Sequence, residues 1–340
     1  MTIAYWIIAL FIVIVAIAVL YIKRVPHGWV QFRTGLVLKF MPPLDHVPVV
    51  QLRQSLEDYI RKKLPAIKKE LPVQIVRDIT IPTRHGDIEA RIFQNDEGPF
   101  DKALVFIHGG GWCVGSVTAY EEVCRRLTIS TRLPVISLEY SLGPEHKFPI
   151  AHEECLDAIK YLAGCPEVLN IKYQNIVLLG DSAGGNLIIS SWYSSEEKVQ
   201  DQIAQLVAIY PAVDSRNGEY QSKKLFKKGY YLTQKAMDQF TEGLISDEKD
   251  LQDIRLSPIF EASTNRFPRC FVLTAAFDPL RDQSEAFADK IRREGNAVVK
   301  KRYQETVHAF FGLRDFGSRG LEAIEDVAAF IDSRPVKGAN

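Results

Sequence analysis

The chain has 340 residues, 46% of them hydrophobic, and its 42 Lys and Arg balance 42 Asp and Glu. This composition supports one large buried core or two modest ones and excludes a disordered or fibrous chain. Because no basic excess is available to neutralise phosphates, we expect no nucleic-acid partner. The five cysteines are scattered and lack the paired spacing of zinc or redox sites, which is typical of buried free thiols.

A hydrophobic helix over residues 3–22 is the first predicted element, and it contains no charged residue. At about 1.5 Å per residue, its length of ~30 Å matches the hydrocarbon core of a bilayer. A secretory signal peptide would start with a basic region and end at small residues, and this segment does neither, so we predict an uncleaved membrane anchor over residues 1–24. Lys23 and Arg24 follow the helix directly, which favours a cytoplasmic location for the rest of the chain.

Residues 25–72 are predicted to form a linker and N-terminal cap helices. Apolar residues recur there at helical spacing among basic ones, which predicts an amphipathic helix. Such a helix would cover an active site, contact anionic lipid or pack on the main domain. We prefer packing on the main domain, because a solvated basic face needs no lipid to explain it. The recurring apolar residues are Leu52, Leu56, Ile60 and Leu64.

Residues 73–340 alternate short β-branched runs with helical stretches, which predicts an α/β fold with a mostly parallel central sheet and helices on both faces. The first two strands are close enough in sequence for an antiparallel hairpin. A polar stretch over 213–256 interrupts the alternation and is predicted to form a small helical cap at the carboxyl edge of the sheet. The predicted strands are 73–81, 87–93, 103–107, 134–139, 176–179, 204–210, 270–275 and 297–303, and the predicted helices are 118–131, 150–163, 184–198, 281–294 and 320–332.

A glycine-rich run, His108-Gly109-Gly110-Gly111-Trp112, directly follows the predicted strand 103–107. Acyl transfer passes through a tetrahedral oxyanion that requires preorganised N–H donors, and successive glycines let backbone amides approach without obstruction. We therefore predict that Gly109 and Gly110 are oxyanion donors and that the amide of Ala183 completes the set. His108 is interpreted as a residue that orders the loop and takes no proton in the reaction.

A second motif, Gly180-Asp181-Ser182-Ala183-Gly184, lies between the predicted strand 176–179 and the helix that follows. A Gly-x-Ser-x-Gly run alone is a weak signal, but this strand–turn–helix setting is the one that a nucleophile elbow requires. The sharp turn strains the serine backbone, and the flanking glycines remove side chains that would collide with the neighbouring strand and helix. This context predicts Ser182 as a nucleophile.

A serine nucleophile needs a base, and the base needs an orienting acid. Among seven histidines, His308 lies in a loop just after the last predicted strand. Asp278 follows the predicted strand 270–275, whereas the rival Asp282 falls on the next helix, where capping or a surface ion pair explains it. The chain order Ser182, Asp278, His308 is the order expected of an α/β-hydrolase.

From Val73 to Ile331 the sequence resembles the hormone-sensitive-lipase-like esterases, which include arylacetamide deacetylases and bacterial acetyl esterases. The two glycine motifs carry this resemblance, with support from residues 139–149 and 278–282. It implies an α/β-hydrolase fold with the same triad and the same oxyanion glycines. In animal arylacetamide deacetylases a similar anchor leaves the enzyme on the lumenal side, opposite to the side that the charge bias favours here.

The predicted function is hydrolysis of short-chain acyl esters or small lipid esters through an acyl-enzyme intermediate, without a metal or cofactor. An amidase, deacetylase or peptidase would use the same triad, and a non-catalytic ligand-binding protein would use the same fold. The presence of all three triad residues favours an enzyme. Acyl length, ester or amide preference and oligomeric state stay open at this point.

Overall fold

The computed structural model describes residues 2–40, 44–169, 171, 175–216, 218–312 and 317–333. Strands at the predicted positions form the centre of the molecule. They are preceded by a short hairpin that the sequence did not predict. The strands are β1 (Arg24–Val25), β2 (Gly28–Trp29), β3 (Ile75–Thr83), β4 (Gly86–Gln94), β5 (Ala103–Ile107), β6 (Val135–Glu139), β7 (Ile176–Asp181), β8 (Ile203–Ile209), β9 (Arg269–Phe277) and β10 (Val298–Val307).

Eight of these strands form one sheet in the order β10-β9-β8-β7-β5-β6-β4-β3. β3 and β4 pair as the expected antiparallel hairpin, and β4 also runs antiparallel to β6. All other neighbours are parallel. The central strands β5 and β7 are buried along their whole length, because helices cover both faces of the sheet. The predicted α/β architecture is confirmed.

Helices flank the sheet on both faces, as predicted. The main ones have apolar stripes that pack on alternate residues of the strands. The helices are α1 (Thr2–Lys23), α2 (Phe32–Phe40), α3 (Val49–Glu70), α4 (Glu121–Thr131), α5 (Ile150–Gly164), α6 (Pro166–Leu169), α7 (Ala183–Ser194), α8 (Glu197–Gln200), α9 (Gln221–Leu225), α10 (Gln234–Leu244), α11 (Arg281–Arg293) and α12 (Arg319–Asp332).

The core divides into two layers on either side of the sheet. Val105 and Ile107 of β5 belong to the cluster that contains the buried residues of α5, α7 and α11. Leu104 and Phe106 of the same strand belong to the cluster that contains those of α4 and α12. This alternation follows from the two-residue period of a strand. The loops at the carboxyl ends of β5 and β7 therefore begin from strands that are buried on both faces.

Helix α1 is long and apolar enough to cross a membrane, with a mean hydropathy of 2.9 over Tyr5–Lys23 and no part of this stretch buried in the protein. The hairpin of β1 and β2 follows it and packs on the domain, where Val25 and Val30 are buried in the second core layer. Helix α2 then returns against the end of α1, so closely that a Cβ on Gly35 would lie 2.1 Å from the carbonyl oxygen of Ile22.

The segments on either side of residues 73–212 meet above the carboxyl edge of the sheet. Helix α3 spans the predicted amphipathic region, and its Leu52 and Leu56 pack on a small apolar cluster. The cluster contains Cys113 from the glycine-rich loop and Phe240 from α10. The preferred interpretation of α3 as a helix packed on the main domain agrees with these contacts. Within the predicted insertion 213–256 the described residues form α9, α10 and a 3₁₀ helix at Glu248–Gln252.

Candidate active site

Ser182 lies at the sharp turn between β7 and α7. Its backbone has φ 54° and ψ −116°, a conformation that side-chain-bearing residues rarely adopt. The turn leaves no room for side chains at the flanking glycines: a Cβ on Gly180 would lie 2.4 Å from the Gly184 carbonyl oxygen, and one on Gly184 would lie 2.0 Å from that of Ile107. The Gly-x-Ser-x-Gly spacing is therefore a steric requirement of this turn.

A hydrogen-bond chain joins the three predicted triad residues. The Ser182 hydroxyl donates to Nε2 of His308 at 2.9 Å, and Nδ1–H of His308 donates to Oδ2 of Asp278 at 2.7 Å. Asp278 is fully buried, and its other oxygen accepts the amide of Leu280 at 2.8 Å. The imidazole is thus held between a hydroxyl and a carboxylate in one tautomer, the arrangement that activates a serine.

Asp282 lies outside this chain. Its carboxylate accepts from Arg281 Nε at 2.8 Å and from the Ser222 amide at 2.7 Å. These are an ion pair and a contact between α9 and α11, in line with the structural role expected from its helical position. The structure therefore brings Asp278, and not Asp282, to His308.

His108 is fully buried and stacks on Tyr140 with ring centroids 4.4 Å apart. Its Nδ1–H donates to the Gly109 carbonyl at 2.8 Å, which braces the loop. Burial lowers the pKa of His108 to about 4, so the ring is neutral at pH 7. This position is consistent with a residue that orders the loop, the role expected from the sequence.

The glycine-rich loop requires one correction. The sequence predicts that the amide of Gly109 binds an oxyanion. In the structure this amide donates to Oδ1 of Asp181 at 2.8 Å, so it is not available to an oxyanion. Among the described residues, nothing accepts the amide hydrogens of Gly110, Gly111 or Ala183. The sequence could not reveal this, because the bond joins residues that are 72 positions apart.

Asp181 lies within the Gly-x-Ser-x-Gly motif, which predicts no role for it, and it is the centre of a buried network behind the serine. Besides the Gly109 amide it accepts the hydroxyls of Tyr120 at 3.0 Å and Tyr210 at 3.4 Å. Tyr210 in turn packs on the His308 ring, with centroids 4.6 Å apart. Burial raises the pKa of Asp181 to about 6, and the hydrogen bonds from Gly109 and Tyr120 offset only part of that rise. The network links the serine turn, the glycine-rich loop and the histidine.

Arg53 of α3 binds the glycine-rich loop through hydrogen bonds to backbone carbonyl groups. The sequence did not predict this role for Arg53. Its guanidinium donates to the carbonyl oxygen of Cys113 at 2.8 Å and to that of Gly143 at 2.5 Å. It also forms an ion pair with Glu145 at 2.8 Å, which lowers the pKa of that carboxyl group. Because Cys113 lies two residues after Gly111, helix α3 helps to set the geometry of the glycine-rich loop.

Helix α10 covers the same loop. A Cβ on Gly111 would lie 2.3 Å from Cγ of Phe240, so the ring lies directly against the loop backbone. Ser182 is 9% exposed and His308 is 5% exposed beneath these elements. In the described part of the chain, no group of three or more His, Cys, Asp and Glu side chains is arranged to hold a metal ion.

Known proteins share this architecture. Residues 104–312, more than half of the chain, match a family described as alpha/beta hydrolase fold. An arylesterase of Saccharolobus solfataricus is 32% identical over 265 residues, which is 77% of this chain and 84% of that protein. The chain belongs to the hormone-sensitive-lipase-like family of α/β-hydrolases. The family resemblance given by the two glycine motifs is confirmed.

Other members of the family agree in length and fold. An ethyl acetate hydrolase of Pseudomonas putida is 29% identical over 297 residues, covering 86% of this chain and 91% of its own length. The solved structure of a hyperthermophilic esterase from the archaeon Pyrobaculum calidifontis aligns with a TM-score of 0.81 at 33% identity. That alignment covers 87% of this chain and 94% of the archaeal one.

Proposed function

We propose that this carboxylic-ester hydrolase uses Ser182 as its nucleophile, His308 as general base and acid, and Asp278 as the residue that orients His308. The observation that carries the proposal is the unbroken hydrogen-bond chain from Ser182 through His308 to Asp278. Its distances of 2.9 and 2.7 Å lie within the range for proton transfer and for orientation of the ring.

The reaction proceeds in two halves. His308 Nε2 takes the hydroxyl proton as Ser182 Oγ attacks the acyl carbonyl, and the imidazolium then gives that proton to the leaving alcohol. The ester C–O bond breaks and an acyl-enzyme forms. In the second half, water loses a proton to His308 and attacks the acyl carbon, and the returned proton restores Ser182 as the acid leaves.

Oxyanion stabilisation is assigned to the amides of Gly110, Gly111 and Ala183. This set replaces Gly109, whose amide is bonded to Asp181. The amide of Ala183 lies at the N-terminus of α7, where unpaired N–H groups and the helix dipole favour negative charge. Each donor to the oxyanion is worth about 3 kcal/mol in a transition state of this kind.

We propose a domain organisation that the contacts around the site support. Residues 1–24 act as a membrane anchor, and residues 25–72 contribute a linker and the N-terminal part of the cap. Residues 73–340 form the catalytic domain, with a second part of the cap at 213–256. Contacts of α3 and α10 with the glycine-rich loop support a cap made from both segments. The basic residues after α1 favour a cytoplasmic catalytic domain.

The substrate class proposed is a short-chain acyl ester or a small lipid ester. The named activities of the arylesterase and the ethyl acetate hydrolase support small acyl groups. The covered position of Ser182 also favours an acyl group small enough to enter under the cap.

Substitution of the serine tests this mechanism. The Ser182→Ala variant should lose turnover of p-nitrophenyl acetate by roughly 10⁶-fold in kcat, because the triad acts as a unit. A fluorophosphonate probe should label the natural chain and fail to label the variant. The matched control is Ser246→Ala, at an exposed serine of the cap, which should keep full activity. Turnover that survives in Ser182→Ala would overturn the assignment of the nucleophile. A separate comparison of matched ester and anilide substrates measures the preference between esters and amides.

A further inference from the structure

Charge is distributed unevenly along this neutral chain. Residues 1–69 contain ten Lys and Arg against three Asp and Glu, whereas residues 70–340 contain 32 Lys and Arg against 39 Asp and Glu. The basic excess thus belongs entirely to the segment that begins with α1. A basic segment next to a membrane-spanning helix is attracted to anionic lipid headgroups.

The segment that directly follows α1 exposes aromatic rings. We refer to residues 24–40, the β1–β2 hairpin and α2, as the collar. Trp29 is 44% exposed, Phe32 is 41% exposed and Phe40 is 70% exposed. Arg24 and Arg33 are exposed in the same segment. Exposed aromatic rings interleaved with basic residues characterise segments that lie at a membrane–water interface.

The opposite face of the collar is attached to the catalytic domain. Thr34 and Gly35 are buried, and Val37 and Leu38 pack on the second core layer. The collar therefore has two different faces. One face packs on the catalytic domain of the same chain, and the other exposes aromatic and basic side chains. Lys39 lies over the ring of Tyr21, 3.9 Å from its centroid, so α2 crosses the end of α1 where that helix would leave the membrane.

The attachment lies at the catalytic edge of the sheet. His27 of the hairpin contacts the Tyr230 hydroxyl at 3.0 Å, and the Tyr230 ring stacks on Phe277, the residue before Asp278. A Cβ on Gly28 would lie 2.8 Å from the Phe277 ring. The amide of Gln31 donates to the carbonyl of Glu305, three residues before His308, at 3.2 Å.

We propose that the collar is a platform for an anionic phospholipid bilayer, and that it turns the catalytic edge of the sheet towards the membrane. The inference rests on the proposed ester hydrolase function and on α1 as its anchor. It selects between the two substrate classes of that proposal: an ester dissolved in the bilayer is presented to the site, whereas a water-soluble ester must arrive from the opposite direction. The bilayer is preferred as the occupant because the collar is continuous with α1 and has the complementary charge.

The first experiment locates Trp29 in the full-length protein, reconstituted into phosphatidylcholine vesicles with and without phosphatidylglycerol. The difference in tryptophan fluorescence between the natural chain and Trp29→Phe reports the Trp29 ring alone. Lipid brominated near the headgroup end of its acyl chains should quench the fluorescence of Trp29, and acrylamide should not. Quenching by acrylamide with no effect of the brominated lipid would overturn the proposal.

The second experiment separates access from catalysis. In the same vesicles, Phe32→Ser/Phe40→Ser should lower turnover of a vesicle-dissolved ester by roughly tenfold, because the collar loses its apolar contact with lipid. Turnover of water-soluble p-nitrophenyl acetate should stay unchanged, which also shows that the variant is folded. An equal loss for both esters, or a loss for neither, would overturn the proposal. Absence of turnover of either ester by the natural chain would instead contradict the proposed function.

Charge reversal provides an independent variant that does not depend on the aromatic rings. Phosphatidylglycerol should raise turnover of the vesicle-dissolved ester by the natural chain. Arg33→Glu changes the charge by two units and should remove much of this gain, with each unit of charge accounting for about fivefold in turnover. Turnover in pure phosphatidylcholine should be unaffected. A gain that is the same in the variant would show that anionic lipid acts elsewhere.

Discussion

The backbone amide of Gly109 donates a hydrogen bond to the buried carboxylate of Asp181, directly beside Ser182. One side chain thus ties the loop that should bind the oxyanion to the turn that presents the serine. Burial raises the pKa of Asp181 to about 6, although the hydrogen bonds from Gly109 and Tyr120 act to lower it.

Stability should report this buried acid. The folded chain holds a proton on Asp181 more tightly than the unfolded chain. The contribution of this proton to the free energy of unfolding is therefore fully present below about pH 4 and is lost as the pH rises through about 6. Asp181→Asn has no such proton and keeps an acceptor for Gly109. The thermal midpoint of the variant, relative to that of the natural chain, should therefore be higher at pH 7 than at about pH 4.5.

The comparison needs only the two midpoints, measured in the same detergent at each pH. A relative midpoint that is higher at the acidic pH would mean that the ionised form of Asp181 is the stabilised one. In that case the donors from Gly109 and Tyr120 would outweigh the cost of burying the charge.

The acids Asp278 and Asp282 form a matched pair for testing the orienting role. Asp278→Asn should lower kcat by roughly 10⁴-fold, because an amide at this position favours the wrong tautomer of His308. Asp282→Asn should change kcat by less than about twofold, since its partners are Ser222 and Arg281 and a partly exposed ion pair contributes little. Steady-state kinetics with p-nitrophenyl acetate measures both variants, and a comparable loss in the two would contradict the assignment of the acid.

Arg53 should act on catalysis through the glycine-rich loop. Arg53→Lys keeps the charge but loses the planar fork that reaches Cys113, Gly143 and Glu145 together. We expect kcat to fall about tenfold with little change in KM, because displacement of the oxyanion donors weakens the transition state more than the bound ester.

The control for Arg53 is Arg61→Lys on the same helix. Arg61 has 68% of its side chain exposed and meets Glu57 only at 3.7 Å, so kinetic constants should not change. A rise in KM with constant kcat in Arg53→Lys would indicate that Arg53 shapes substrate binding instead of the loop.

Local patterns in the sequence were sufficient for the sheet, the flanking helices and the order of the candidate triad. Ser182 could be selected because the steric need for glycine at 180 and 184 leaves a trace in the sequence itself. Asp278 and His308 could be selected because each follows a strand that ends at the same edge of a parallel sheet. These are rules about strand ends and turns, and they need no knowledge of distant contacts.

The parts that could not be predicted all depend on contacts between distant segments. The engagement of the Gly109 amide depends on Asp181, and the position of Arg53 depends on how α3 crosses the domain. The β1–β2 hairpin consists of two-residue strands whose pairing is supported by Tyr230 and Phe277, far along the chain. Hydrophobic periodicity carries no signal for such contacts.

The backbone of Ser182 itself should limit the stability of the fold. At φ 54° and ψ −116°, a residue with a Cβ costs about 1–3 kcal/mol, whereas glycine adopts this conformation freely at an entropic cost of roughly 0.5–1 kcal/mol. Ser182→Gly should therefore be more stable than Ser182→Ala by about 1 kcal/mol, or roughly 1–2 °C in thermal midpoint. Both variants lose the hydroxyl and the bond to His308, so the difference between them reports the backbone strain less the entropic cost of glycine. Equal midpoints would mean that the strain at Ser182 is no larger than the entropic cost of placing glycine there, and an Ala variant more stable than the Gly variant would contradict the prediction.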